Sequence, residues 1–373
     1  MNSLSSAVIA TLTALFVLAP LGNLVAQGDL TPPGAPTPTM KSLDQIEART
    51  PITQAQLPYT INAAGSYYLT SALSVAGGDA ITVTADNVSL DLNGFAITST
   101  AANATGTGIL LSGGHRNITI LNGFINGSVV DNGGVFSGGG FNNGISYIGN
   151  APFNVRVTGV AVGGCKINGI NLGAGVQNTS TVQSCTAYII GVAGFTANDV
   201  SHSSVFDCGG NGIIADTAVD CYGETNGTGA GINAVTASNC RGRADTPGNG
   251  TGITAATAIN CYGTSVNSQG INATTVTNSY GLSSVSQGLA AETASNSYGE
   301  SNSNRGVNAN IAIGCSGTTH GSSYGVFATS IANTCYGLSA TGTGLNANIA
   351  IGCIGLNSGG TSVGYINHYN MPP

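Results

Sequence analysis

Charge is what this chain has least of. Eight Lys and Arg with fifteen Asp and Glu make 6% of 373 residues, where about a quarter is usual in a globular protein. Two lysines, a net charge of −7 and no Lys/Arg cluster leave no basic surface, so no nucleic-acid partner is expected. Charge-driven disorder is excluded too, because 42% of the chain is hydrophobic and Val, Ile and Thr are abundant. Tryptophan is missing, prolines number eleven, and 57 glycines without a strict every-third spacing exclude a collagen triple helix. Beyond residue 26 no apolar run is long enough to span a bilayer, so no transmembrane anchor is expected in the mature chain. What is present is a folded, weakly charged chain coated with Gly, Asn, Ser and Thr.

Residues 1–26 read as an address. The apolar stretch Ala7 to Leu21 is ended by Pro20 and Gly22, short of the ~20 residues of a membrane span. Ala26 then places a small residue before Gln27, the pattern of a cleaved signal peptide, which predicts an extracellular or cell-surface location. Residues 27–39 form a proline-stiffened linker (TPPGAPTPT within it). In residues 40–50, Ser42 as N-cap with Leu43 and Ile46 three apart predicts a short amphipathic helix that caps the first layer of a stacked fold. The body is 51–367 and the tail 368–373.

Spacing carries the case for that stacked fold. A glycine followed by an apolar residue recurs, at a nearly constant step, at Gly212-Ile213, Gly231-Ile232, Gly252-Ile253, Gly270-Ile271, Gly288-Leu289, Gly306-Val307, Gly325-Val326 and Gly344-Leu345. A second anchor follows, in most coils nine positions later, as in Cys221-Tyr222-Gly223, Cys261-Tyr262-Gly263 and Ser279-Tyr280-Gly281, and ten later at Cys335-Tyr336-Gly337. So short a period leaves no room for two helices per repeat and fits one β-helix coil. Within it the residue after the glycine and the alanine two positions further on (Ala234, Ala273, Ala309) share parity and point inward, while Asn233, Asn272 and Asn308 point out. The front half repeats a Leu-Asp-Leu-Asn-Gly motif (Leu90 to Gly94) at Ile120 to Gly123, with Gly-rich insertions such as Asp131 to Gly144 read as loops. About thirteen coils result, and at ~4.8 Å each a shaft of roughly 60 Å.

The stretch Tyr59 to Ile97, the preceding MKSLDQIEARTPI and the NCYG-bearing coils resemble the right-handed parallel β-helix repeat proteins of bacterial export, in the pectate-lyase-like superfamily. The resemblance implies an all-β, single-stranded right-handed parallel β-helix. Its members include lyases, hydrolases, adhesins and tailspikes, so it implies no single activity.

Chemistry is sparse. Nine cysteines form no CxxC pair, and no calcium-repeat motif occurs, so neither metal nor cofactor is expected. The cysteines stack as small interior hydrophobes or join across coils, as Cys221 to Cys240 would. Tyr222, Tyr262, Tyr280, Tyr298 and Tyr336 beside them form an outward ladder. That ladder is either a strip on which sugar rings stack or a set of rings that cover and stabilise one another. Asp199, Asp207 and Asp216 with His202 are the one local concentration of catalytic residue types, and acids one or two coils apart could reach glycosidase spacing. Two function classes stay open: a non-catalytic secreted shaft that is adhesive, matrix-forming or glycan-binding, and a lyase or hydrolase of pectin-like polysaccharide. The final coil is expected to expose strand edges and to favour end-to-end self-association.

Overall fold

Alternation turns into three parallel ladders. In the coil that opens at Gly270, a first strand face (Ile271 to Ala273), a second (Thr275 to Thr277) and a third (Tyr280 to Ser283) each pair in parallel with the same positions of the next coil. Ile271, Val276 and Ser283 point in and are fully buried, while Asn272 and Thr274 point out. The apolar residues at this position form one unbroken stack from Ile81 through Ile109, Phe195 and Ile271 to Leu345, all without solvent exposure. Stacked apolar side chains on a hydrogen-bonded ladder are the main stabilising term, as burial removes about 25 cal/mol per Å² of apolar surface from water.

The computed structural model describes residues 48–174, 179–245 and 248–357, and the backbone of 360–361 and 363–367. The chain divides into Met1–Ala48, of which only Ala48 is described, and a unit from Arg49 that contains everything below. The signal peptide, the linker, most of the predicted capping helix and the tail lie outside the described residues. Arg49 and Thr50, the last residues assigned to that cap, are not helical: Thr50–Ile52 is the first strand and pairs with Tyr67 to Leu69. Among the described residues the one helical element is a 3-10 turn, Gln54–Gln56, and no helix is long and apolar enough to cross a membrane.

The second-face register runs from Pro51 through Tyr68, Asp91, Leu121, Thr158 and Gln183 to Ile351, with one further rung at Asn367. That makes about sixteen coils instead of thirteen. The uncounted coils sit at the front, where Pro51 to Asp91 completes two turns without either glycine anchor. The insertion read as a loop from Asp131 is half strand: Ser128–Asp131 and Phe136–Gly139 form an antiparallel hairpin, and Phe141 is back in the core.

Two buried polar slots turn the chain at its corners. Between the second and third faces stands a residue in the left-handed region, Asn239, Asn260, Asn278 or Asn296, with Gly314 and Gly352 in the same place. Asn and Gly tolerate that backbone, which costs other residues about 1 kcal/mol or more. The next residue is the Cys/Ser anchor. Cys261 Sγ contacts the Ile259 carbonyl at 3.2 Å, and Ser279 Oγ donates to the Thr277 carbonyl at 2.8 Å. Thiol and hydroxyl thus fasten the corner in the same way, which is why serine can interrupt the cysteine run. All nine cysteines are free and eight are buried. Burial pushes the Cys165 thiol up to about 12 and the Cys185 thiol up to about 11, so neither is a nucleophile at neutral pH. At the end of the third face a second hydroxyl, such as Ser283 Oγ, donates to the Ser268 carbonyl at 2.6 Å and accepts from Ser286 N at 2.9 Å.

Candidate ligand groove along one corner of the shaft

Because the corner residue is left-handed and the anchor after it points inward, the side chains before and after the anchor stand apart on the surface. On one side are Asn260, Asn278 and Asn296; on the other are Tyr262, Tyr280 and Tyr298, and Cys261, Ser279 and Ser297 lie between them. The result is an open groove of about 520 Å³ that runs along the stack and ends at Gly314 and Ser316. None of its lining side chains carries a formal charge. The same corner carries a second hollow, of about 250 Å³, at the front between Asn122, Phe124, Gly159 and Ser184. Three of the sequence-predicted binding tyrosines form one wall; the Asn wall was not foreseen, although both walls belong to the repeated Asn-Cys-Tyr and Asn-Ser-Tyr tripeptides.

The tyrosine ladder is continuous in register, Tyr222, Arg241, Tyr262, Tyr280, Tyr298, Ser316, Tyr336. Its rings lie on one another and not flat on the sheet. Tyr262 and Tyr280 have centroids 5.0 Å apart, and Tyr280 and Tyr298 are stacked at 5.1 Å with planes 13° apart. Arg241 continues the stack, its guanidinium carbon 5.9 Å from the Tyr222 centroid and 5.1 Å from that of Tyr262. The Tyr222 hydroxyl donates to Glu224 at 2.6 Å, that of Tyr280 to Glu300 at 2.7 Å and that of Tyr298 to Thr318 at 3.1 Å. Burial, then the Glu300 carboxylate, pushes the Tyr280 hydroxyl up, and the same hydrogen bond together with His320 at 3.1 Å holds Glu300 down. From Tyr222 to Tyr298, therefore, the ring faces cover one another and the edges face the groove. Tyr336 stands beyond the gap at Ser316 and is 38% exposed.

The structure divides the predicted acid cluster: Asp199 and Asp216 lie in adjacent coils one register position apart, while Asp207 and His202 stand elsewhere on the coil. Asp199 is exposed on the second face beside Thr181 and Thr217. Asp216 accepts from Asn198 Nδ2 at 2.6 Å near the first corner. His202 occupies the left-handed corner slot, 3.3 Å from Asp220 in that slot one coil later. Asp207 is on the third face, where the hairpin brings it a partner that the linear sequence separates widely. Asn226 Nδ2 donates to Asp207 Oδ1 at 2.5 Å and lies 3.5 Å from Asp131 Oδ2. Burial first, then the charge of Asp131 and a direct hydrogen bond with it, push the Asp207 carboxyl up to about 6 against the opposing Asn226 donation. Both carboxylates therefore face the one Asn226 amide. The Asn226 amide between them ties the hairpin to the shaft, and the hairpin also seats Phe136 over Gly191 and Gly209 and receives the Lys166 ammonium on the Phe136 carbonyl. Among the described residues no group of three or more His, Cys, Asp or Glu could hold a metal ion.

No family model and no curated protein matches the chain. Among solved structures, the enzymatically active domain of tailspike protein 2 from bacteriophage CBA120 is similar at 13% identity and a TM-score of 0.29. The match covers 74% of this chain and 38% of that one, so the chain spans well under half the length of that protein. A likeness of this degree transfers no activity.

Proposed function

We propose that the chain is a non-catalytic, exported β-solenoid that holds a neutral polysaccharide along the Asn/Tyr corner groove, as an adhesive or matrix component at the cell surface. The observation that carries this reading is the uncharged groove of about 520 Å³ whose amides, hydroxyls and ring edges repeat from coil to coil. One coil advances about 4.8 Å, close to the advance of one sugar along an extended glycan chain, so a polymer of like residues meets like groups in phase. The donors and acceptors sit on a closed ladder and lose little freedom on binding, which lowers the cost of ordering. A polyanionic glycan would meet a chain of net charge −7 with no cation in the groove.

A glycan array of the mature protein, run beside reducing-sugar and unsaturated-product assays, tests this. The expected result is binding to neutral polysaccharide without product, abolished by Asn278→Arg, which obstructs the groove. Turnover that disappears in Asp207→Ala would overturn the non-catalytic reading. Recovery of a secreted chain beginning at Gln27 would support export.

A further inference from the structure

From Asn239 to Asn296 on one wall and from Tyr222 to Tyr298 on the other, the corner groove follows a rule that the next coil breaks on both sides. The left-handed corner is Asn at 239, 260, 278 and 296, but Gly at 314. The ring position carries a planar group at every rung from Tyr222 to Tyr298, but Ser316 stands at the next, before Tyr336 restores the ring. Gly314 and Ser316 belong to the same coil and close the end of the groove. Losing both side chains at one level cuts a notch one coil thick through both walls.

The notch has the thickness of a ring. Neighbouring tyrosine ring centroids lie 5.0 to 5.1 Å apart, one ring per coil. Tyr298 and Tyr336 are two coils apart, about 10 Å, which leaves room for one inserted ring with a stacking contact on each face. Tyr336 is the most exposed tyrosine of the ladder, and among the described residues its ring stacks on no other aromatic ring. Polar groups ring the opening. Ser316 and Thr318 are partly exposed on its floor, and Asn296 Oδ1 leans over the corner, 2.6 Å from where a Gly314 Cβ would be.

We propose that this slot is a subsite for one pyranose ring of the neutral glycan, sandwiched between Tyr298 and Tyr336; the proposal rests on the groove reading above. The C–H bonds on the faces of a pyranose carry slight positive charge and meet the negative faces of the two tyrosines. Its equatorial hydroxyls leave sideways, toward Ser316, Thr318 and the Asn296 amide. A nucleobase has a similar thickness, but a nucleotide brings phosphate, and the groove lining offers no cation to receive it.

The test uses cellohexaose, xylohexaose and mannohexaose as probes, with affinity read from tyrosine fluorescence, which no tryptophan obscures, and contacts read from saturation-transfer NMR. Ser316→Tyr fills the slot by continuing the stack, so folding is preserved, and affinity is expected to fall about tenfold or more. Tyr336→Leu should weaken binding similarly, and Tyr336→Phe should leave it unchanged. If Ser316→Tyr binds the best probe within twofold of wild type while Asn278→Arg abolishes binding, the slot is refuted and the groove stands. If no neutral hexasaccharide binds the wild-type chain, both readings fall. If N-acetyltyrosinamide occupies the slot, with loss in Ser316→Tyr, and the sugars do not, an aromatic side chain of a protein partner replaces the pyranose and the proposal is wrong.

Discussion

At one inward position of the third face, the front of the shaft carries Ile97, Ile125, Val162, Ala187 and Val205, and the rear carries glycine in every coil from Gly223 to Gly355. The second face changes with it, from Leu90, Ile120 and Val157 to Ala218, Ala237 and Ala294. The front is therefore filled by side chains and the rear by backbone. A Cβ on Gly281 would sit 2.1 Å from the Gly288 carbonyl oxygen, so the third face of a rear coil is pressed against the start of the next first face. Wide coils accept insertions, and second-face rungs there are as far apart as Leu121 and Thr158. Glycine-lined coils leave no slack, so their period is nearly strict and outward groups line up into ladders. The regular groove is in the rear for that reason, while the hairpin with its carboxyl pair grows from the front.

Substitutions at equivalent positions separate the two modes of packing. The largest effect is expected from Ile125→Ala, which empties a fully buried site and should cost about 2 to 5 kcal/mol in denaturant unfolding. At the matching rear position Gly281→Ala adds a methyl where there is no room and should cost about 1 to 3 kcal/mol through backbone displacement. If the same addition proved harmless, the rear would have slack and the comparison would fail. Ser283→Ala removes both hydrogen bonds of a buried corner and should cost about 1 to 3 kcal/mol, with increased amide exchange at Ser286. For Asn278, alanine should lower stability by about 1 kcal/mol and glycine should be tolerated, as Gly314 is in the same slot.

The smallest effect concerns the front hairpin and runs with pH. The Asp207 carboxyl titrates near 6 in the folded chain and near 3.9 when unfolded. Its contribution is therefore fully present below about pH 4 and is lost as pH rises through about 6. Asp207→Asn should remove that loss, so the difference in melting temperature between variant and wild type should move in favour of the variant from pH 4.5 to 7.5, by about a degree or two. Asp86 and Glu300, whose carboxyls are held low, act in the opposite direction in both proteins and cancel in the difference.

Much of the rear half was legible because its signals are local. The inward Ile271 and Ala273 and the outward Tyr280 follow from spacing within a single coil. The front was less legible: the coils between Pro51 and Asp91 lack the glycine anchors, with Pro58 and Ala80 at the leading position and Leu73 at the third-face position. The division of the acids has a related cause. Asp199, Asp207, Asp216 and His202 are near in sequence, but a coil distributes such neighbours among its faces and gathers residues one period apart.

The sequence by itself determined the period, the inward face and the scarcity of ions, because alternation and repeat length are properties of a short stretch of chain. Only the tertiary structure decided that the tyrosines stack on one another, that Asp207 meets Asp131 and that Gly314 and Ser316 open one notch together. Those outcomes depend on which residues one coil places above another and on where a hairpin folds back, and both are set by coil lengths summed over many residues.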